Sequence, residues 1–157
     1  MIDLSTQINA PVERVFDLSR SVDLHMASTA HTGERAVAGV TSGLMALGQE
    51  VTWRARHFGV WQYLTSRITA FERPAHFRDS LVRGIFRRFD HDHFFTATGG
   101  GTVMRDVFDF QSPLGILGRI ADRLFLVRYM TRLLATRNTL IKTIAESDQW
   151  QRYIQKA

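Results

Sequence analysis

The order of elements constrains this chain more than any single motif. One strand is followed by a short helix, a long run of alternating strand-like segments, and a final helix of roughly thirty residues. Ile2, Leu4, Thr6 and Ile8 alternate with Asp3, Ser5 and Gln7, the period-two pattern of a half-buried strand. Asn9-Ala10-Pro11 then opens a helix: proline suits the first turn, where its missing N–H has no partner to lose, and Val12, Val15 and Phe16 repeat at helical spacing. A second short helix is expected over Val22–Ala27, and a weak strand with a Gly-rich loop over Glu34–Gly48. Within that loop, Gly43–Leu47 reads as an apolar flap.

Strands follow at Gln49–Phe58 and Val60–Phe71 about a turn at Gly59, then at Ala75–Arg83, Arg88–Thr96 and Thr102–Phe110. The short connections predict a meander. Ser112-Pro113 supplies an N-cap hydroxyl and a proline for the last helix, which runs to about Glu146. Its apolar stripe is Leu117, Ile120, Ala121, Leu124, Val127, Met130, Leu133, Leu134, Leu140, Ile141 and Ile144. Such an order describes a curved antiparallel sheet around one long helix, a shape that encloses a cavity.

A length of 157 residues suits a single domain spanning 1–157, large enough to bury a core without staples. With no cysteine there is no disulfide framework, thiolate metal site or thiol nucleophile, which suits a reducing compartment. The opening residues lack a basic stretch followed by an apolar run of signal-peptide length, and no window approaches the roughly 18 apolar residues of a membrane span. The expectation is a soluble cytoplasmic protein. The net charge of +5 comes almost wholly from arginines spread from Arg14 to Arg152, densest at Arg54/Arg56 and Arg87/Arg88. Without a basic stripe interleaved with aromatics, the expected partner is not a nucleic acid.

Ile8-Asn9-Ala10-Pro11-Val12-Glu13-Arg14-Val15-Phe16, the strand meander and the terminal helix together resemble the START and birch-pollen-allergen-like ligand-binding superfamily (SRPBCC) over the whole chain. The segments Phe77-Arg78-Asp79, Gly84-Ile85-Phe86, His91-Asp92-His93-Phe94-Phe95 and Met104-Arg105-Asp106 resemble a bacterial subgroup described as polyketide cyclase-like or cell-division-inhibitor-like. The resemblance implies an α+β helix-grip fold. A curved antiparallel sheet of about six to seven strands would wrap around a long C-terminal helix, with two short helices after strand one and a ligand held between sheet and helix.

The meander also sets side chains against each other. A turn over Gly84–Arg87 pairs Asp79 with His93, and a loop over Thr98–Gly101 pairs His93 with Asp106. Asp79, His93 and Asp106 would form one row across three strands. Their face also carries Phe77, Leu81, Phe89, His91, Phe95, Met104, Phe108 and Phe110, whereas the opposite face carries Arg78, Asp90, Asp92, Arg105 and Asp109. The row therefore points inward. Burial and adjacency act oppositely on such carboxylates and imidazoles, so the row can be acid/base equipment, a ligand anchor, or a polar network that satisfies itself.

Further candidates for the cavity wall are Trp53 and His57 on one strand face, and Arg137, which interrupts the apolar stripe between Leu134 and Leu140. Arg137 can reach a cavity acid, clamp a ligand carboxylate, or snorkel past the sheet edge. His91 and His93 with Asp79 or Asp106 make a two-histidine, one-carboxylate set. The spacing is common and fixes no third histidine, so no metal or cofactor is assigned and His91 reads as a satisfied pocket histidine. Gly-x-Ser-x-Gly, phosphate-binding glycine loops and His-Glu-x-x-His are absent from the sequence.

The expected function is binding or carriage of a small, mostly hydrophobic or amphipathic molecule. The first alternative is a cyclase, aromatase or isomerase with His93 as acid/base, tuned by Asp79 and Asp106. The second is a protein-interaction role through the basic surface or the Gly43–Leu47 segment. The sequence leaves the oligomeric state open.

Overall fold

A computed structural model describes residues 1–112 and 125–154 of the chain. The expected helix start at Ser112-Pro113 and the stripe residues Leu117, Ile120, Ala121 and Leu124 fall in or beside the gap; positions 113–124 and 155–157 lie outside the described residues.

Seven strands form one antiparallel sheet: β1 (Ile2–Ile8), β2 (Arg35–Gly39), β3 (Glu50–His57), β4 (Val60–Glu72), β5 (His76–Arg83), β6 (Arg88–Thr98) and β7 (Gly101–Gln111). Their order across the sheet is β1-β7-β6-β5-β4-β3-β2, a meander from β2 to β7 with β1 added beside β7. Helices α1 (Val12–Ser19) and α2 (Val22–Ser28) follow β1; α1 starts directly after Pro11, and α2 runs one residue past the expected Val22–Ala27. Helix α3 (Val127–Ala145) lies against β1, α1 and α2, and a short α4 (Gln151–Ile154) follows it. Two register shifts in the β4–β5 ladder and one in β2–β3 add twist and let the sheet curl.

Local chemistry explains the connections. Phe58 and Gly59 both have positive φ in the two-residue turn between β3 and β4, the geometry whose twist matches paired strands. Gly101, at φ 144°, starts β7 where a Cβ would come within 2.2 Å of the Ile8 carbonyl oxygen, so only glycine admits this approach of β1. The Ser21 hydroxyl caps α2 by accepting from Leu24 N at 3.3 Å.

The segment expected as an apolar flap, Gly43–Leu47, is instead tied down. Leu44 bridges Ser21, Met45 N donates to the Arg20 carbonyl at 3.0 Å, and the Asp23 carboxylate accepts from Gly43 N at 2.8 Å. Met45 is buried in the core, and only Leu47 of the segment is a large exposed apolar side chain. The sequence shows its hydrophobicity but not the α2 carboxylate that anchors it.

One part of the core gathers around Phe16, with Val15, Leu18, Ile8, Phe77, Phe95, Met104, Ile141 and Ile144; the other joins Ile2, Phe89, Phe108, Phe110 and Leu134. On the convex face, arginines meet carboxylates across strands: Arg78 with Asp92, Arg105 with Asp3, Arg88 with Asp109 and Arg67 with Glu50. Much of the basic charge is therefore locally paired. Among the described residues no helix is long and apolar enough to cross a membrane.

Asp17 joins α1 to the β4–β5 turn by accepting from Arg73 Nη2 at 2.7 Å and from Arg20 Nη2 at 2.7 Å. Burial pushes its carboxyl up, but the two guanidinium groups outweigh that and hold it below the usual carboxylate range. A carboxyl that titrates lower when folded gives stability that is complete above the ordinary carboxylate range and is lost as pH falls through the folded value. Asp17→Asn is therefore expected to lower unfolding free energy by about 1–3 kcal/mol at pH 7. The deficit should shrink in acid; urea denaturation at neutral pH and near pH 2.5 measures it, and an equal deficit at both would refute the ion pair as its source.

Candidate functional site

The concave face of β3–β7, with α2 and α3 across it, encloses a cavity of about 390 Å³. Most of the wall is apolar: Trp53 and Ala55 from β3, Ile68 from β4, Phe77 from β5, Phe89 from β6, Phe108 from β7, and Met130, Leu133 and Leu134 from α3. Two clusters of titratable side chains among the described residues interrupt it, beside single polar residues such as Arg20, Gln62 and Ser66.

The first is a compact cluster on β5, β6, β7 and α3. His93 stands opposite Asp106 in the β6–β7 ladder, as expected, but Asp79 stands opposite His91 and not His93. The expected register assumed a tight turn at Gly84–Arg87. The β5–β6 ladder instead ends at Ser80 opposite Asp90, so the connection is wider than a tight turn and the register is displaced by two residues. Because side chains alternate with period two, that displacement keeps every residue on its face and changes only its partner.

The displacement gathers four groups where a row of three was expected. His93 Nε2 is 3.2 Å from Asp79 Oδ1, and His93 Nδ1 is 2.6 Å from Asp106 Oδ1. His91 Nδ1 is 3.8 Å from Asp79 Oδ1, and His91 Nε2 is 3.2 Å from Asp106 Oδ1. The two rings lie 3.9 Å apart, centre to centre, so each imidazole turns one nitrogen to each carboxylate. The contacts at Asp106 Oδ1 are close but too oblique to be straight hydrogen bonds.

Helix α3 covers this cluster. Asn138 Nδ2 donates to Asp106 Oδ2 at 2.7 Å, Arg137 Nη1 lies 3.6 Å from Asp106 Oδ1, and Arg137 Nη2 donates to the Ser19 carbonyl at 2.6 Å. Arg137 is thus turned inward and buried, not snorkelled to the sheet edge. Burial works against both carboxylates, yet both are held below their usual range: Asp106 well below it by His91 and His93, and Asp79 by His93, His91 and Arg137. The two imidazoles diverge. Burial and the neighbouring His93 lower His91 despite the carboxylates, whereas at His93 the same burial is outweighed by Asp106 and Asp79, which raise it.

The second cluster lies elsewhere on the wall. His25 Nε2 is 2.9 Å from Glu34 Oε1, and His57 Nδ1 is 2.6 Å from the Tyr129 hydroxyl. His25 also packs against Trp53, with ring centres 4.3 Å apart and planes inclined at 33°. Burial lowers His57 although Glu34 opposes it, and burial with Glu34 raises Tyr129.

Of the candidates read from sequence, Asp79, His91, His93, Trp53, His57, Phe77, Phe108 and Arg137 line the cavity. Asp106, Phe95 and Met104 do not. Asp106 is sealed behind the histidines by Arg137 and Asn138, and α1 covers Phe95 and Met104, with Phe16 against Phe95 and Ser19 against Met104. Sequence reasoning missed Asn138, Glu34, His25 and Tyr129. Asn138 was within reach, since it falls between Leu134 and Ile141 on the buried side of α3; Glu34, His25 and Tyr129 come from separate segments with no shared period.

The chain matches no protein-family model, and no curated protein matches it in sequence. Solved structures do resemble it. TTHA0849 from Thermus thermophilus is 17% identical with a TM-score of 0.68, over 92% of this chain and 98% of that one. Ginseng major latex-like protein 151 from Panax ginseng is 14% identical with a TM-score of 0.68, over 93% and 97%. The di-domain ARO/CYC StfQ from the steffimycin biosynthetic pathway is 15% identical with a TM-score of 0.72, over 92% of this chain and 50% of that one. The sheet order, the helix laid across its concave face and these likenesses together give the chain a helix-grip fold.

Proposed function

We propose that the protein binds a small, largely apolar molecule in this cavity and directs a polar group of it toward Asp79, His93 and Arg137. One observation carries the reading: a buried cluster of charged groups breaks the wall of a largely apolar cavity, the combination that supplies affinity by burial and orientation by a few polar contacts. The proposed setting is the cytoplasm, and the proposed partner is the small molecule, not a nucleic acid.

Ala55 lies on the wall and is 4% exposed. Ala55→Phe places a ring in the cavity without touching the polar cluster. It is expected to weaken binding of the fluorescent probe 1-anilinonaphthalene-8-sulfonate, and of any small molecule seen by native mass spectrometry, by at least about tenfold. The milder Ala55→Leu should fall between, and near-ultraviolet circular dichroism reports whether each variant keeps its packing. Probe affinity unchanged in both folded variants would rule out the cavity as the binding site.

A second reading is favoured by a separate observation. Two imidazoles and two carboxylates in mutual contact, three of the four on the cavity wall, are the groups that move protons at carbonyl compounds. The likeness to an ARO/CYC supports a cyclase, aromatase or isomerase role in the same cavity. That reading predicts turnover of a carbonyl compound that His93→Gln abolishes while leaving probe binding in place.

A further inference from the structure

We propose that Asp79, His91 and His93 form a binding site for one divalent transition-metal ion on the cavity wall. One potential ligand atom from each of the three lies within 4.8 Å of those of the other two. His93 Nε2 and His91 Nδ1 turn toward the same oxygen, Asp79 Oδ1, at 3.2 and 3.8 Å. Nitrogen and oxygen ligands about 2.1 Å from one ion stand roughly 3–3.5 Å apart, so the three donors are already near the spacing that an ion requires.

The support behind the donors is the stronger argument. A metal-bound histidine usually gives its other ring N–H to a carboxylate, which fixes the tautomer and aims the lone pair at the ion. Here one carboxylate serves both rings: His93 Nδ1 and His91 Nε2 both face Asp106 Oδ1, at 2.6 and 3.2 Å. Asp106 is fully buried, fixed by Asn138 Nδ2 at 2.7 Å, and balanced by Arg137. With N–H on the nitrogens that face Asp106, His91 Nδ1 and His93 Nε2 are left as lone-pair donors on the Asp79 side.

The hydrogen bond that His93 Nε2 makes to Asp79 Oδ1 at 3.2 Å is the contact an ion would replace, and the atoms behind it are unsatisfied. His91 Nε2, His93 Nδ1, Asp106 Oδ1 and Arg137 Nη1 are buried and complete no hydrogen bond among the described residues. So buried a set normally satisfies itself; a small rotation of both rings toward an ion at Asp79 is free to straighten their contacts with Asp106. The fixed charges, two carboxylates against one guanidinium, leave one negative charge that a cation beside the rings offsets.

The donor set selects the class of ion. Two imidazoles with one carboxylate suit Zn²⁺, Fe²⁺, Co²⁺ and their neighbours, whereas Ca²⁺ and Mg²⁺ prefer oxygen ligands throughout. Three protein donors leave positions open, and these face the cavity, where a bound molecule's oxygen or nitrogen could complete the coordination. The inference shares a wall with the proposed ligand but does not depend on it, because the ion is measured with no ligand present.

The test uses the full chain, stripped with a chelator and titrated with Zn²⁺ by calorimetry and with Co²⁺ by visible absorption. The expected result is one ion per chain with micromolar or tighter affinity, and Co²⁺ bands of a nitrogen- and oxygen-ligated site. Asp79→Asn and His93→Gln, which keep size and polarity, should each weaken Zn²⁺ by at least about tenfold. His31→Ala, a control outside the cluster, should leave it unchanged. Should His93→Gln fail to fold, Asp79→Asn alone decides, since the Asp79 side chain is 23% exposed and tolerates the exchange. A folded parent chain that takes up no ion, or binding undiminished in both cluster variants, overturns the proposal. A chain that binds the fluorescent probe but no ion refutes the metal site alone; a chain that binds the ion but no probe refutes the cavity-ligand reading alone.

Discussion

Asp106→Ala is expected to lose about 3–5 kcal/mol of unfolding free energy, because it removes an anion fully sealed beneath α3 and strands the cations that face it. Arg137 would keep its hydrogen bond to the Ser19 carbonyl but lose its countercharge, and Asn138 would lose an acceptor at 2.7 Å. Asp106→Asn restores an acceptor without the charge and should fall between. Asp106→Leu combined with Arg137→Met removes both charges and should cost less than the single change to alanine, since a buried pair replaced by apolar groups is often near neutral. Urea denaturation followed by circular dichroism measures all three. A loss under about 1 kcal/mol in Asp106→Ala would mean that the charges here are not balanced by this carboxylate.

Phe16→Ala is the second large effect. Phe16 is fully buried on α1 and meets three rings edge-on: Phe71 at 5.4 Å, Phe77 at 5.4 Å and Phe95 at 5.2 Å between centroids. Its truncation removes a large apolar area and leaves a void that the sheet, held by its ladders, closes only in part. The expected cost is about 3–5 kcal/mol. In a protein of this length that corresponds to a fall of roughly 6–20 °C in Tm by calorimetry. Phe16→Leu should recover about half of it. Phe77 also lines the ligand cavity, so a loosened Phe77 should broaden probe binding as well; a Tm within about 2 °C of the parent would show that the ring contributes little.

Much of the fold was legible because its signals are local. Alternation placed β1 and β3–β7, Pro11 placed the start of α1, and Gly59 marked a turn that needs positive φ. What failed was one pairing, that of β5 with β6. Its register depends on where the connecting chain leaves the ladder, and the last pair is Ser80 with Asp90, well before the turn that Gly84 marks. The inward face survived because an even displacement preserves parity: His93 keeps Asp106 opposite it as expected, and only Asp79 changes partner, from His93 to His91. Which inward residues meet the cavity was not legible at all. Phe95 and Phe108 share a pattern on neighbouring strands, and only the docking of α1 and α3 separates a core position from a wall position.

The place of β1 at the edge beside β7 has a consequence in time. Ile2 pairs with Phe108 and Ile8 with Thr102, so β1 leaves the ribosome about a hundred residues of synthesis before its neighbour exists. During that wait β2 to β6 can assemble as hairpins, while β1 and the helices behind it have no sheet edge to join. Such distant pairing slows folding and leaves apolar strand surface uncovered during translation. The early life of this chain is therefore where a chaperone has the most to hold.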